Sequence, residues 1–159
     1  SSTRLIGLAF GAEDYTASME IERSKAGEEL MNARARVVWA AKSAGIQAID
    51  SIFADVKDME GLRRETELVK GLGYTGKSLV NPRQIEVVHE VFAPKPDEIA
   101  YALEVIEAIQ RAREMGTGVI SLRGKMVDAP VVKRAYRTLR TAHAQGLVDA
   151  LPDEGVLRG

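Results

Sequence analysis

Apolar and polar positions in this chain follow two alternating periods. The run Leu5-Ile6-Gly7-Leu8-Ala9-Phe10 is short, apolar and bounded by glycine, the pattern of a strand covered on both faces in a parallel sheet. A polar connection over 16–23 follows, with Ser24 as an N-cap and Glu28-Glu29 near the start of a helix. Leu30, Val37, Val38 and Ala41 then recur at helical spacing up to Gly45, a helix stop. Residues 46–53 read as a second strand. Asp58 opens a second helix with the inner stripe Met59, Leu62, Thr66, Val69 and Leu72, and Gly71 and Gly73 end it. Residues 77–80 form a third strand. Asn81-Pro82 begins a third helix, with Gln84 closing a capping box and Ile85, Val88 and Phe92 inward. Strand-helix units repeated in this way predict a parallel sheet with right-handed crossovers.

Pro94 and Pro96 break the pattern and divide the chain into 1–93 and 94–159. The second part predicts a helix over 97–115, with Ile99, Leu103, Ile106 and Ile109 inward. A turn at Gly116 and Gly118 leads to the apolar run 119–122, and the segment 125–130 leads into a last helix ending near Gln145-Gly146. The tail from Leu147 reads as loosely held.

Composition narrows the class. At 159 residues the chain can bury a real core. A formal charge of -1 gives no broad field toward nucleic acid or membrane, and there is no cysteine for disulfide or thiol chemistry. No apolar run approaches a membrane span and no signal-peptide pattern is read, so a cytoplasmic location is the expectation.

Candidate chemistry gathers where the first strand ends. Gly11 and Ala12 leave room for backbone to approach a bound group, and Glu13-Asp14 place anionic oxygen beside it, the ligand type that hard divalent cations take. Asp14 equally fits the cap of a following turn. Asp128, two residues before Pro130, is well placed as the N-cap of the last helix. Lys77 and Arg83 could reach the phosphates of a ligand or lie on the surface; Trp39 reads as a core or subunit contact; His89 and His143 lack ligand-spaced partners.

Three stretches occur in an order that goes further: Gly11-Ala12-Glu13-Asp14-Tyr15, Gly76 to Ile85 with Asn81-Pro82-Arg83-Gln84 inside it, and Gly124-Lys125-Met126-Val127-Asp128-Ala129-Pro130. Together they resemble the citrate lyase β subunit and the malyl- and citramalyl-CoA lyases, members of the HpcH/HpaI aldolase superfamily. The resemblance implies an α/β fold in which 1–93 are strands six to eight of a TIM (β/α)₈ barrel with their helices. Residues 94–159 would be a C-terminal helical extension packing at the active site of a neighbouring subunit. The family's first five strands have no counterpart in the sequence, and the expectation is a partial view of a longer barrel.

The resemblance implies a Mg²⁺-dependent lyase that cleaves a citryl thioester to oxaloacetate and an acetyl thioester, with coenzyme A or an acyl carrier protein as the carrier. In it Asp14 matches a metal ligand, whereas Glu13 does not. The backbone around Gly11, Ala12, Glu13 and Asp14 holds the keto-acid carboxylate, and Asp128 is the acid or base at the acyl α-carbon of a neighbouring subunit. A homo-oligomer, trimer or hexamer, and other citrate lyase subunits are the implied partners, without nucleic acid or membrane. The alternatives are a stand-alone malyl-CoA or citramalyl-CoA lyase or thioesterase, and a non-catalytic half-barrel that needs a partner chain.

Overall fold

A computed structural model of the chain describes residues 4–116 and 120–157. It divides after Phe92 into two compact units. The first is built on a parallel sheet of β1 (Gly7–Ala9), β2 (Gln47–Asp50) and β3 (Gly76–Lys77), in that spatial order. Gly7 pairs with Gln47, and Asp50 pairs with Lys77. Between the strands lie α1 (Ala12–Ser18), a 3₁₀ turn (Glu28–Leu30), α2 (Met31–Ser43) and α3 (Met59–Leu72), and α4 (Gln84–Phe92) closes the unit. Phe10, Leu30, Val38, Ala41, Ala48, Val69 and Tyr74 form its apolar core. The parallel sheet and α2 to α4 are those the two periods predict, but the strands are shorter, β3 falls at 76–77 rather than 77–80, and α1 is additional.

Several local expectations change. The connection 16–23 begins inside α1, because the first amides after Gly11 start a helix: the Tyr15 amide donates to the Gly11 carbonyl at 2.9 Å. β1 is an edge strand, so Ile6 is 80% exposed rather than covered on both faces. In α4 the buried stripe is Gln84, Val88 and Val91, and Ile85 is exposed. Gln84 turns inward because both polar ends of its amide are hydrogen-bonded. Its Oε1 accepts from the Val80 and Asn81 amides at 3.1 and 3.3 Å, and its Nε2 donates to the Phe53 carbonyl at 2.9 Å. Trp39 is 75% exposed and therefore not core.

The local signal was accurate at Asp58, whereas Ser24, expected as an N-cap, instead braces the loop before the 3₁₀ turn, whose N-cap is Gly27. Asp58 Oδ1 accepts from the Gly61 amide at 2.8 Å and caps α3. Ser24 receives the Gly27 amide on its hydroxyl and donates that hydroxyl to the Glu29 carboxylate at 2.7 Å, which holds the carboxyl below its ordinary value. At the far end of α3, Gly73 has φ +104 and a Cβ there would meet Val38 Cγ1 at 3.2 Å. Gly73→Ala is therefore expected to cost about 1–2 kcal/mol in backbone strain, read as a lower urea midpoint with an unchanged slope.

The second unit contains α5 (Pro96–Glu114), β4 (Ile120–Leu122), β5 (Lys125–Val127), α6 (Ala129–Ala144) and a 3₁₀ turn (Glu154–Leu157). It is not purely helical. β4 and β5 pair antiparallel through a two-residue turn in which Arg123 and Gly124 have φ of 50° and 74°. Two positive φ values suit the twist of a hairpin, and a non-glycine residue there needs support. Arg123 has it: its guanidinium donates to both Glu104 oxygens at 2.9 and 2.6 Å and lies over the Tyr101 ring. The expected glycine turn at 116–118 and the start of the run at Val119 lie partly outside the described residues; Ile120 to Leu122 are strand.

The core of this unit is Ala102, Val105, Ile106, Val127, Val132, Ala135, Leu139 and Val156. Leu103, expected inward, is exposed, because the buried stripe follows Ala102, Val105 and Ile106. The tail is better held than its composition suggests. Val156 is buried, and the Arg113 guanidinium donates to the carbonyls of Gly155 and Val156 at 2.9 and 3.0 Å.

Candidate functional site

The three parallel strands end at one place. Ala9 is followed by Phe10 and Gly11, Asp50 by Ser51 and Ile52, and Lys77 by Ser78, and these residues with Ala12, Glu13 and Asp14 wall an open cleft of ≈ 260 Å³. Ligands of parallel α/β sheets bind at such carboxyl ends, where loops converge and helices begin. Gly11 contributes no capping side chain to α1, so the first amides of that helix have no side-chain acceptor at the N-cap. A Cβ on Gly11 would lie 3.0 Å from Asp14 Oδ2. The Asp14 carboxylate thus folds back over the bare backbone of Gly11, which explains a small residue there more directly than ligand approach does.

Glu13 and Asp14, neighbours in sequence, have different partners. The Glu13 carboxylate accepts from Arg23 Nη1 at 2.6 Å. Asp14 is exposed beside the cleft. Among the described residues no group of three or more His, Cys, Asp or Glu side chains is placed to hold a metal. Asp14 fits a hard cation as one oxygen ligand, which is compatible with Mg²⁺, an ion usually held through one or two carboxylates with waters and substrate. Glu13 is less suited, since its Oε1 already accepts from Arg23.

Beneath the cleft lies a charge cluster that the sequence reading did not anticipate. Arg34 on α2 donates through Nε and Nη2 to the two Asp50 oxygens at 2.9 and 3.1 Å. Lys77 Nζ donates to Asp50 at 2.7 Å, to the Ser51 carbonyl at 2.9 Å and to Glu65 of α3 at 2.6 Å. Arg34 also pairs with Glu65 at 3.1 Å. The side chains of Arg34, Asp50 and Lys77 are fully buried. Burial opposes the charge on Glu65, but Lys77 and Arg34 outweigh it and hold the carboxyl below its ordinary value. Burial likewise opposes the charge on Arg34, and Asp50 with Glu65 reverses that effect and raises it. The Tyr74 hydroxyl, pushed up by burial, donates to the Arg34 carbonyl at 3.2 Å.

Lys77 therefore does not reach out toward ligand phosphates; it is consumed inside the unit. Of the missed residues, Arg34 left a signal, since it shares the face of Leu30, Val38 and Ala41 and is the one cation on that apolar stripe. Asp50 and Glu65 left none that a local pattern could show.

Asp128 sits between β5 and α6, anchored on one side by buried Val127. Its Oδ1 accepts from the Val131 amide at 3.1 Å, which makes it the N-cap of α6 while the residue stays exposed. His89 and His143 are both exposed. No helix among the described residues is long and apolar enough to cross a membrane.

This geometry defines a parallel α/β unit with an uncapped helix start and the Asp14 carboxylate beside a cleft at the strand ends. The HpcH/HpaI aldolase/citrate lyase model matches residues 1–82, and the chain belongs to that family. It is 51% identical over 150 residues to the citrate lyase subunit beta of Leuconostoc mesenteroides subsp. cremoris, covering 94% of this chain and 50% of the relative. The human mitochondrial citramalyl-CoA lyase is 38% identical over 138 residues, which cover 87% and 41% of the two chains. A CitE protein from Mycobacterium tuberculosis, solved in complex with magnesium, acetoacetate and coenzyme A, superposes with a TM-score of 0.71 at 29% identity, covering 87% of this chain and 52% of that one. The chain spans about half the length of the curated relatives it matches.

Proposed function

We propose that this chain carries part of the active site of a Mg²⁺-dependent carbon-carbon lyase, its three strand-helix units being the sixth to eighth of a (β/α)₈ barrel. The substrate is a citryl thioester on coenzyme A or an acyl carrier protein, and the products are oxaloacetate and an acetyl thioester. The observation that carries this reading is the Gly11–Asp14 turn, which sets uncapped helix amides and an exposed carboxylate in one cleft at the ends of three parallel strands. Identity near 50% to citrate lyase β subunits, against 38% to a citramalyl-CoA lyase, favours the citryl substrate.

The amides of Ala12, Glu13 and Asp14, with Gly11 beside them, hold a keto-acid carboxylate; oriented N–H groups at a helix start bind anions. Asp14 is a ligand for Mg²⁺, which when bound polarises the oxygens of the forming keto acid as a Lewis acid. As the bond to the acyl α-carbon breaks, its electron pair passes to the thioester as an enolate, and the hydroxyl releases its proton to solvent so that its oxygen becomes the keto oxygen of oxaloacetate. Asp128 of a neighbouring copy returns a proton to that α-carbon, or removes one in the condensation direction. Such an arrangement requires a homo-oligomer, trimer or hexamer, and is compatible with association with other citrate lyase subunits in the cytoplasm.

Keto-acid release from citryl-CoA and malyl-CoA, with and without Mg²⁺, tests the reading. Asp14→Asn is expected to lower turnover by about 100-fold and to raise the Mg²⁺ concentration needed for half-maximal rate. Mg²⁺-independent release, or release indifferent to Asp14→Asn, overturns it; preference for malyl-CoA moves the acyl group and leaves the site in place.

A further inference from the structure

We propose that Arg23 is a positioning residue that sorts the two adjacent carboxylates of α1, turning the Glu13 carboxylate toward the neighbouring cavity so that Asp14 is the acid left facing a bound anion. The inference rests on the lyase reading of that cleft. Arg23 lies at the end of the connection that follows α1, with its side chain 15% exposed. Its guanidinium meets three elements at once: Nη1 bonds Glu13 Oε1 at 2.6 Å, Nη2 donates to the Ile52 carbonyl at 3.0 Å, and Nη2 stands 3.6 Å from Glu65. Ile52 follows β2 and Glu65 belongs to α3, so the fork ties the first turn of α1 to the buried charge cluster. A planar, permanently charged fork bonds such partners with fixed geometry, and a lysine there would keep the charge beside Glu13 with less directional bonds.

Glu13 borders two spaces. One is the strand-end cleft, and the other is a larger cavity of ≈ 620 Å³ on the Arg23 side, walled by Phe53, Leu68 and Arg64 among others. With seven residues and no side-chain cap, α1 has little of its own to set the direction of its first turn. The bond to Arg23 holds the Glu13 carboxylate on the larger cavity's side, and Asp14 stays folded over Gly11. Were Glu13 released, a second carboxylate could turn toward the amides meant for the keto acid. Like charges a few ångströms apart would then weaken anion binding while leaving the affinity for a cation intact or higher.

The experiment measures direct binding of oxaloacetate in the presence of Mg²⁺, and of Mg²⁺ alone, by calorimetry on the purified protein. Arg23→Gln is expected to weaken oxaloacetate about tenfold without weakening Mg²⁺. Adding Glu13→Gln to Arg23→Gln is expected to restore oxaloacetate affinity to within about threefold of the wild type, because the released charge is gone. Arg23→Lys, which keeps a cation beside Glu13, is expected to bind nearly as well as the wild type. A merely structural Arg23 would show no rescue by the second substitution, and that outcome, or equal loss in Arg23→Lys and Arg23→Gln, overturns the proposal. A wild type that binds neither oxaloacetate nor Mg²⁺ overturns the lyase reading itself and this role with it.

Discussion

Replacing Asp128 by Asn is expected to lower lyase turnover by about 10²–10⁴-fold while leaving the fold as stable as before. The magnitude is that of a positioned general acid or base. The separation of the two effects comes from the cap. Asp128 accepts the Val131 amide through Oδ1, and an Asn carbonyl oxygen can accept the same bond, since Asn and Asp rank together at this position. Asp128→Ala removes both functions and is expected to cost an additional 0.5–2 kcal/mol, on the order of other lost caps. Steady-state turnover and a urea titration on the three proteins give the answer. Full activity in Asp128→Asn would leave Asp128 as a helix cap alone.

Arg34→Met is expected to destabilise the first unit by about 3–5 kcal/mol, the cost typical of removing one partner from a buried ionic cluster. Arg34 links α2 to both acids. It covers the two Asp50 oxygens and one of Glu65, and without it Asp50 would keep Lys77, and Glu65 would keep Lys77 and the more distant Arg23. Methionine retains the stem's packing, so the loss reports charge and hydrogen bonding rather than volume. The pH dependence has a definite sign. Glu65 has its carboxyl below the ordinary 4.5 in the folded protein, so it contributes stability that is complete above that value and is lost as pH falls through the lowered one. Arg34→Met removes one of the two cations responsible, so acid unfolding is expected to begin at a higher pH than in the wild type. Circular dichroism across an acid titration checks both statements.

Much of the first unit was legible because the signals involved are local. Glycine stops, the Asp58 and Asp128 caps and the Asn81–Gln84 helix start each depend on residues within one turn, and each is present in the structure. The turn after the first strand was recognisable from Gly11 to Asp14 for the same reason. Register within a helix was less secure. Ile85 and Leu103 satisfied an apolar spacing, yet the buried positions fell on Gln84 and on Ala102, Val105 and Ile106, since an amide bonded at both its oxygen and its nitrogen can be buried and a leucine can stay wet. The hairpin escaped notice because its strands have three residues each and its Arg-Gly turn is held by Glu104 and Tyr101, distant in sequence.

The sequence by itself determined the order of the three parallel strands and of the helices from α2 onward, the parallel class, the glycine helix stops and the motif that names the family, because these follow from periodicity and from contacts a few residues long. Only the tertiary structure decided which charges enter the interior. Arg34 and Asp50 are 16 residues apart, and Lys77 is 27 from Asp50 and 12 from Glu65. No local rule distinguishes Lys77 from a solvated lysine, because a buried charge is tolerable only when its counter-charges arrive with it, and that depends on where three other elements bring their side chains.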